Sequence, residues 1–374
     1  MLILSLALFV PTALMLLLVI SNVRSLPRIT PNVAPRPHAL SILIPARNEA
    51  ARLPRCLESV TAQNETVLEV LVYDDHSCDG TASVVREYAQ RDNRVRLLEP
   101  TALPEGWCGK PFACAYLARH AQGRWFLFLD ADAQLRPGAS EGLLAAAERH
   151  DVTFLSAWPD LVLATFWEKA LMPMLSFAVF SLFPVKISLE YPYPSLGLAH
   201  GACILVRRDE YREIGGHEAV HDQVVEDVSL AQAWRAHGHR GLLLDGQDIV
   251  SVRMYQTFGE IWRGFQKSAY PAFRGASSCW LFMAFHLWCF VGPFVLLPVS
   301  VGARIAALFS LLSVLNVLAM RVLLARRFGH SPWAALLHPV AELMFVAVGI
   351  SSWWRCATGR GVSWKGRTYD PGPV

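Results

Sequence analysis

The chain has 374 residues, of which 53% are hydrophobic and only 17% are charged. Soluble globular domains carry about 25% charged residues, so a wholly soluble enzyme is disfavoured. The 34 basic and 31 acidic side chains nearly cancel, and without a clustered basic surface nucleic acid is not an expected partner. The eight cysteines include no C-x-x-C pair, so neither a zinc cluster nor a disulfide framework is expected.

An apolar run at residues 2–20 opens the chain, and about 20 such residues suffice to cross a bilayer. A cleaved signal peptide would have a basic start and a small-residue cleavage site, but no Lys or Arg precedes this run. We therefore predict an uncleaved transmembrane anchor over residues 1–22. Arg24, Arg28 and Arg36 follow it, and the positive-inside rule then predicts that the chain continues in the cytoplasm.

The next block, residues 38–275, is predicted to form one soluble domain of alternating strands and helices. Helical patterns run from Ala46 to Val60 and over 81–90, and they separate short apolar runs at 39–44, 67–73, 94–98 and 125–129. This alternation is typical of an α/β fold with a mostly parallel sheet, whose ligands bind at the carboxyl ends of the strands. Polar clusters follow the predicted strands at 47–49, 74–79 and 130–132.

Within this block, residues 161–185 form an apolar stretch that contains Glu168, Lys169 and two prolines. The stretch is too interrupted for a plain membrane span. We predict an interfacial element that lies on the membrane. A buried core helix of the soluble domain is the alternative.

Asp130 and Asp132 bracket one small residue directly after the apolar run 125–129. If the strand continued, its alternation would send both carboxylates to the same side. Two such carboxylates repel each other unless a cation lies between them, and Mg²⁺ or Mn²⁺ would take phosphate oxygens and waters as the remaining ligands. A capped turn without a metal is the alternative for so short a motif.

Four ordered motifs resemble those of the family 2 glycosyltransferases with a GT-A fold, over about residues 41–244. The family pattern runs P-x-x-N-E, then D-D-x-S-x-D-G-T, then D-A-D, then E-D. The matching residues in this chain are Pro45, Asn48 and Glu49, then Asp74, Asp75, Ser77, Asp79, Gly80 and Thr81, then Asp130 and Asp132, then Glu226 and Asp227. The resemblance implies an enzyme that uses a UDP- or GDP-sugar and a divalent metal.

The resemblance also implies roles for single residues. Glu49 with Asp74 or Asp75 would hold the base and ribose of the nucleotide, Asp132 would coordinate the metal with Asp130, and Asp227, beside Glu226, would be the general base. Lys110, in a GWxGK segment common in lipid-directed members, would approach the diphosphate, although a solvated surface lysine is the alternative. The predicted donor site comprises Pro45, Asn48, Glu49, Asp74, Asp75, Lys110, Asp130 and Arg367, and the predicted acceptor segment is His200, Gly201 and Ala202.

Two features weigh against other chemistries. His217, Glu218 and His221 spell the H-E-x-x-H zinc signature, but the preceding glycines and the following loop disfavour the helix that this signature requires. Processive members of the family carry Q-x-x-R-W, whereas this chain has Gln266 followed by Lys267, Ser268, Ala269 and Tyr270. A processive polysaccharide synthase is therefore the weaker alternative.

Three further apolar stretches lie within residues 279–354, and a basic tail occupies residues 355–374. If all three stretches cross, the tail lies outside, against the positive-inside rule; prolines 293 and 298 would let the first stretch dip and return. The tail contains W-K-G-R-x-Y at residues 364–369, resembling members that glycosylate carotenoid-type or hopanoid-type lipids. If the tail is cytoplasmic, Arg367 or Lys365 would close over the diphosphate; a basic patch on anionic lipid is the alternative.

Ionisable residues also lie in or beside these apolar stretches, namely His286, Arg321, His338 and Glu342. Such groups are candidates for a function, and a hydrogen bond between packed helices is the equal alternative. Together the patterns predict a multi-pass cell-membrane enzyme with a cytoplasmic catalytic domain. It would transfer one sugar, with inversion, from a nucleotide sugar to a membrane lipid. A non-enzymatic membrane scaffold is the remaining alternative.

Overall fold

The computed structural model describes residues 1–32, 34, 36–273 and 275–369. These residues divide into two compact units, which we call the catalytic unit and the membrane unit. The catalytic unit comprises Pro27–Val162 and Ile187–Met254. The membrane unit comprises Met1–Leu26, Leu163–Lys186 and the described residues from Tyr255 to Tyr369.

The strands of both units are, in chain order, β1 (Leu40–Ala46), β2 (Val67–Asp74), β3 (Val95–Leu98), β4 (Trp125–Leu129), β5 (Ala133–Leu135), β6 (Phe154–Trp158), β7 (Asp160–Leu161), β8 (Cys203–Arg207), β9 (Gly241–Asp245), β10 (Val250–Val252), β11 (Val362–Trp364) and β12 (Arg367–Tyr369). The α-helices are α1 (Leu2–Ser25), α2 (Leu53–Thr61), α3 (Thr81–Arg91), α4 (Gly109–His120), α5 (Ala139–Arg149), α6 (Phe166–Leu171), α7 (Pro173–Phe180), α8 (Val185–Glu190), α9 (Arg208–Glu213), α10 (Glu226–Ala236), α11 (Phe258–Ala269), α12 (Ala276–His286), α13 (Gly292–Val299), α14 (Arg304–Arg327) and α15 (His338–Ala357).

The catalytic unit is built on a seven-stranded sheet in the order β3-β2-β1-β4-β8-β6-β9. Strands β3, β2, β1 and β4 run parallel to one another, and β8 reverses direction between β4 and β6. A smaller sheet, β5-β10-β7, accompanies it. The predicted α/β class with a mostly parallel sheet is confirmed, and the carboxyl ends of β1, β2 and β4 meet at one edge.

The sequence placed the first helix too early. A helical pattern was expected from the residues after Pro45, but α2 begins at Leu53. Asn48 has a φ of 52°, in the left-handed region, and Pro54 occupies one of the first positions of α2, where its missing N–H costs nothing. The intervening residues form a loop at the end of β1.

The membrane unit contains helices long and apolar enough to cross a membrane: Leu2–Ser25, Ala276–Val299, Arg304–Arg327 and Pro332–Ala357. They coincide with the apolar run at residues 2–20 and with the three apolar stretches within residues 279–354. The second of them is continuous through a π-helical turn at Leu287–Val291, directly before Pro293. A π-turn accommodates the missing proline N–H without breaking the helix.

Two of the ionisable groups in the membrane unit are paired. His286 Nδ1 and Glu342 Oε1 lie 2.7 Å apart, and both side chains are fully buried. The guanidinium of Arg321 lies 5.6 Å from the centre of the Phe177 ring. The hydrogen bond joins α12 to α15, so the helix-packing role expected as one alternative is present.

The segment Leu163–Lys186 belongs to the membrane unit and carries α6 and α7. A capping box starts α6, in which the Thr165 side chain accepts from the backbone of Glu168 and the Glu168 side chain accepts from Thr165. Met174 and Phe177 of α7 are buried. The predicted domain limits, including the separate element at 161–185, stay predictions.

The tail forms a hairpin of β11 and β12, which packs against α11. Lys365 and Gly366 connect its strands, with φ of 46° and 81°. Positive φ at both positions is the requirement of the tight turn that matches the twist of a two-stranded ribbon. Arg367 lies at the start of β12.

Candidate active site

The candidate active site gathers around the ammonium of Lys110, a half-buried side chain near the start of α4. Lys110 Nζ lies 2.7 Å from Asp130 Oδ1, after β4, and 2.9 Å from Glu226 Oε1, at the first position of α10. The Glu226 side chain is 9% exposed and that of Lys110 34%. Three separate motifs of the sequence therefore meet at one point, and Lys110 is not the solvated lysine of the alternative interpretation.

The charges in this cluster shift one another's ionisation. Burial alone would lower the pKa of Lys110, but the carboxylates of Asp130 and Glu226 outweigh it and hold that pKa well above its ordinary value. The pKa of Asp227 is raised to about 6 by burial and by the neighbouring Glu226, with Lys110 partly opposing. A carboxylate with this pKa is ionised at neutral pH and lies within range for proton transfer.

Asp227 is presented at the N-terminal turn of α10, where Asp227 Oδ1 accepts a 2.9 Å hydrogen bond from the backbone N–H of Val228. Its other oxygen faces Gly201: a methyl group added to Gly201 would lie 3.2 Å from Asp227 Oδ2 and 3.0 Å from Lys110 Nζ. A side chain at this position would displace Lys110 or Asp227 by a few tenths of an ångström, so the predicted acceptor segment adjoins the predicted base.

The residues on either side of Gly201 are tied to the sheet. The Asp130 backbone N–H donates to the carbonyl of Ala202 over 3.1 Å, which extends the pairing of β4 with β8. His200 is buried: its backbone N–H donates to Ser156 Oγ over 2.8 Å, and its Nδ1 accepts from the Ala202 N–H over 3.3 Å. Burial lowers the pKa of His200 to about 4, so its ring is neutral at physiological pH.

A second group of polar residues lies at the ends of β1 and β2. The left-handed backbone of Asn48 lets its N–H donate to Ser77 Oγ over 2.8 Å, while its side-chain oxygen accepts from the Cys78 N–H over 2.9 Å. Asp74 Oδ1 accepts from the Ser77 N–H over 3.2 Å. The motifs P-x-x-N-E and D-D-x-S-x-D-G-T thus brace each other, at the sheet edge where nucleotides bind in doubly wound folds.

Two arginines that the sequence reasoning did not assign lie in this group. Arg47 Nη1 donates to the Asp75 carbonyl over 2.6 Å and lies 3.8 Å from Asp75 Oδ2. Arg52 Nη1 lies 3.5 Å from Glu49 Oε2. Each arginine thus contacts a residue predicted to hold the nucleotide. Their positions inside and just after the first motif were the available signal.

Asp130 and Asp132 both lie in the candidate site, but a turn and not a continued strand brings them there. Strand β4 ends at Leu129, and the two aspartates lie in a turn closed by the 2.9 Å bond from the Ala133 N–H to the Asp130 carbonyl. Strand alternation therefore does not orient them. The thiol of Cys56 is nevertheless close to both: burial and the charges of Asp132, Asp130 and Glu49, in that order, raise its pKa.

The donor set suits a hard cation that is only partly held by protein. Among the described residues, no group of three or more His, Cys, Asp or Glu side chains could enclose a metal. Two aspartates beside an open sheet edge match the way in which Mg²⁺ or Mn²⁺ is held by one or two carboxylates, with waters and phosphate oxygens completing the shell.

The H-E-x-x-H residues serve the fold. His217 and Glu218 lie on a short 3₁₀-helix, Gly216–Val220, and His221 follows its end, so the α-helix that the zinc signature needs is not formed. His217 Nδ1 lies 2.9 Å from the Tyr211 hydroxyl, and Glu218 pairs with Arg119 over 2.7 Å. The carbonyl of His221 accepts from the Cys108 N–H over 2.7 Å, so this loop fixes the segment that carries Lys110.

Arg367 belongs to the membrane unit, and its predicted contact with the diphosphate stays a prediction. The same holds for the roles predicted for the other site residues. Pro45 lies within β1, paired with Tyr73 of β2.

Known proteins resemble this chain in sequence and in fold. Residues 41–215 match the model of the family described as "Glycosyl transferase family 2". A 4,4'-diaponeurosporenoate glycosyltransferase of Staphylococcus aureus (strain MRSA252) is 28% identical over 345 residues, which cover 89% of this chain and 88% of that protein. A mannosyltransferase from Pyrobaculum calidifontis, solved with GDP-mannose and Mn²⁺, superimposes with a TM-score of 0.57 at 19% identity, covering 94% of this chain and 98% of the other.

The fold is therefore that of the GT-A glycosyltransferases. Residues 41–215 are a glycosyltransferase family 2 domain, and the chain is a glycosyltransferase that resembles lipid-directed, carotenoid-type members of the family. The family resemblance drawn from the four motifs is confirmed.

Proposed function

We propose that this enzyme transfers a single sugar, with inversion, from a nucleotide sugar to a membrane lipid, with the help of a divalent metal. The observation that carries the proposal is the meeting of Lys110, Asp130, Glu226 and Asp227 beside Gly201. A candidate base, a cation and a candidate metal ligand lie within one cluster, next to a backbone segment that admits close approach.

The donor is proposed to bind across the sheet edge. Its base and ribose would lie against Glu49 and Asp74 or Asp75, braced by Asn48, and its diphosphate would lie towards Asp130 and Asp132. The solved relative in complex with GDP-mannose has the same fold. At 19% identity this likeness does not choose between a UDP- and a GDP-sugar, nor the sugar itself.

The chemistry proposed for this chain's residues is a direct displacement. The acceptor oxygen attacks the anomeric carbon from the face opposite the diphosphate, so the carbon–oxygen bond to the acceptor forms as that to the leaving group breaks, and the anomeric centre inverts. Where the acceptor group is a hydroxyl, Asp227 takes its proton as the new bond forms. Glu226 and Lys110 hold the site around it, and no covalent enzyme intermediate is required.

A divalent metal fits the donor set described above, with Asp132 and Asp130 as its protein ligands. Mg²⁺ or Mn²⁺ would supply charge stabilisation for the departing diphosphate. Asp130 also pairs with Lys110, so in this proposal the ammonium and the metal would share that carboxylate.

The acceptor is proposed to be a membrane lipid of extended, carotenoid-like character. The name of the Staphylococcus aureus relative specifies a carotenoid carboxylate, diaponeurosporenoate. A carboxylate is ionised at neutral pH and needs no general base, whereas a hydroxyl does. The effect of Asp227→Asn therefore identifies the acceptor group, since only a hydroxyl acceptor makes Asp227 essential as a base.

The four long apolar helices associate this enzyme with a membrane. We propose that the catalytic unit lies on the cytoplasmic side, as the arginines after α1 predict.

The test is a transfer assay with full-length protein in lipid nanodiscs, labelled nucleotide sugars and mass spectrometry of the extracted lipids. The expected product carries one sugar and is lost with chelator and in Asp132→Ala. Asp222→Asn, an exposed aspartate in the preceding loop, is the matched control for Asp227→Asn. A polymer product would instead establish processive synthesis, and a folded protein with no transfer or donor hydrolysis would refute enzymatic function.

A further inference from the structure

A buried arginine, Arg235, holds the part of the catalytic unit that leads into the acceptor segment. Arg235 lies in the last turn of α10, whose first turn carries Asp227, and it is 5% exposed. The part that it holds is residues 188–202, which we call the acceptor arm because they end in the acceptor segment. One helix therefore carries both the predicted base and this arginine.

The guanidinium of Arg235 binds three parts of the backbone at once. Nη2 donates to the Ser188 carbonyl over 3.0 Å and to Ser188 Oγ over 2.9 Å, and Nη1 donates to the Tyr191 carbonyl over 3.0 Å. Nε and Nη2 also donate to the carbonyl of Gly241, at the start of β9, over 3.1 and 2.7 Å. These acceptors are uncharged oxygens that converge on the planar fork of a guanidinium, and an ammonium group does not match this geometry.

Arg235 keeps its charge although it is buried. Burial, and then the charge of Arg240, lower the pKa of Arg235 to about 10, so the guanidinium is protonated at neutral pH. Hydrogen bonds from a charged donor are stronger than those between neutral groups. The contacts of Arg235 therefore fix the start of the acceptor arm to α10 and to β9.

The middle of the acceptor arm lies on the surface. Residues 191–195 are all exposed, and the two tyrosine rings among them stack on each other with centres 5.9 Å apart. Exposed side chains remove little apolar surface from water, so hydrophobic packing contributes little to holding this stretch. The bonds from Arg235, and the 3.0 Å bond from Ser188 Oγ to the Leu196 carbonyl, give it much of its order.

The rest of the acceptor arm lies against α10 at two glycines. A methyl group added to Gly197 would lie 2.8 Å from the carbonyl carbon and oxygen of Ala231, and one added to Gly201 would lie 3.2 Å from Asp227 Oδ2. The residues contacted on the helix, Asp227, Ala231 and Arg235, are spaced by four and therefore share one face of α10. The acceptor arm follows that face from Arg235 at its start to Asp227 at its end.

We propose that Arg235 is a positioning residue for the acceptor: it holds the acceptor arm in register on α10 and so sets the distance between the acceptor segment and Asp227. The inference rests on the proposed function, whose acceptor site it describes further. Arg235 lies eight residues from Asp227, which is about 12 Å along the helix axis, so it acts through the arm and not on the reacting atoms. A displacement of about 1 Å costs about a hundredfold in rate.

Transfer to water provides a measurement that a merely structural role would not change. In donor hydrolysis, water attacks the anomeric carbon, the bond to the diphosphate breaks, and free sugar, nucleoside diphosphate and a proton are released. Hydrolysis needs the donor site but not the acceptor arm. A variant that only loses folded protein lowers lipid transfer and hydrolysis by the same factor, whereas a shifted arm lowers the ratio of lipid product to free sugar.

The decisive variant is Arg235→Lys, which keeps the charge and removes the fork. Arg240→Lys is the matched control, because Arg240 also donates to a backbone carbonyl, that of His150 over 2.9 Å, but is exposed. The assay uses full-length protein in phosphatidylcholine nanodiscs with labelled UDP- and GDP-hexoses, and with a carotenoid carboxylic acid or a polyprenyl alcohol as acceptor. Lipid product and free sugar are both quantified.

For Arg235→Lys the ratio of lipid product to free sugar is expected to fall about tenfold, as a shift of about half an ångström would produce. Arg240→Lys is expected to keep the wild-type ratio. If wild-type protein forms no lipid product, the proposed function fails. If wild-type protein forms lipid product and Arg235→Lys leaves the ratio unchanged, or Arg240→Lys lowers it equally, Arg235 is not a positioning residue.

A milder variant decides the matter if Arg235→Lys does not fold. Ser188→Ala removes the hydroxyl that accepts from Arg235 and donates to the Leu196 carbonyl, and it is expected to lower the ratio several-fold. Ser195→Ala, at an exposed serine of the same arm, is its control and is expected to leave the ratio unchanged. An unchanged ratio in Ser188→Ala, or an equal fall in both serine variants, would overturn the inference.

Discussion

Gly201→Ala tests the geometry of the active site with the smallest possible change. The new methyl group would lie 3.0 Å from Lys110 Nζ and 3.2 Å from Asp227 Oδ2. Ordinary contacts begin at 3.4 Å, so the ammonium must move by about 0.4 Å. Lys110 is a flexible side chain, and the backbone of Gly201 does not require positive φ. The free energy of unfolding should therefore change by less than about 1 kcal/mol.

The cost should appear in catalysis instead. Moving Lys110 stretches its contacts of 2.7 Å to Asp130 and 2.9 Å to Glu226. The new methyl group also lies too close to Asp227 Oδ2 and displaces that carboxylate. A misplacement of about 1 Å costs about a hundredfold in rate. Scaled linearly in free energy, a shift of about 0.4 Å costs on the order of sixfold in kcat.

The assay measures kcat and KM for sugar transfer together with thermal unfolding. Gly302→Ala is the matched control, because nothing lies within 4 Å of the methyl group that it adds. Wild-type kcat in Gly201→Ala would refute the close approach of Lys110 and Asp227 to this backbone. A large loss of stability would show instead that the neighbouring side chains cannot yield.

Three further predictions follow from single contacts. With a hydroxyl acceptor, the rate of sugar transfer should fall about tenfold per pH unit below pH 6, because the base Asp227, whose pKa is about 6, must be ionised. A transfer rate that stays constant from pH 5 to 8 would exclude Asp227 as the base. Burial lowers the pKa of His217 from 6.5 to about 4, so the free energy of unfolding of the catalytic unit should fall by up to about 3 kcal/mol as pH falls through this range. In urea titrations His217→Phe should reduce this fall, whereas His237→Phe, at an exposed histidine, should not. Asn48→Ala should weaken nucleotide binding more than Asn48→Gly, since glycine tolerates its φ of 52°; equal calorimetric affinities would contradict this.

The sequence predicted where the site lies better than it predicted how the site is assembled. Strands such as β4, at Trp125–Leu129, are short buried runs, and their ends carry the motifs, so the sheet edge was foreseeable. The turn at Asp130 was not, because strand alternation gives no signal for the residue at which a strand stops. The shared contacts of Lys110 were equally hidden, since Asp130 and Glu226 come from distant parts of the chain.

The membrane unit shows the same limit. Apolar length alone located its four long helices, because the bilayer sets how many residues a span needs. Helix spacing brought His338 and Glu342 to one face, yet the partner of Glu342 is His286 of another helix. Pairings between helices depend on tertiary packing, which periodicity within one helix does not encode.

The negative charge of the active site bears on the order in which the divalent metal and the nucleotide donor bind. Glu49, Asp130, Asp132 and Glu226 lie near one another, as their contacts and their shared influence on Cys56 and Lys110 show. Lys110 offsets only part of this negative charge. A nucleotide diphosphate arriving alone would be repelled, whereas a divalent cation held by Asp130 and Asp132 would offset the charge of the acids and remove this repulsion. We therefore expect donor affinity without metal to improve when Asp132→Asn removes one charge, while transfer is lost.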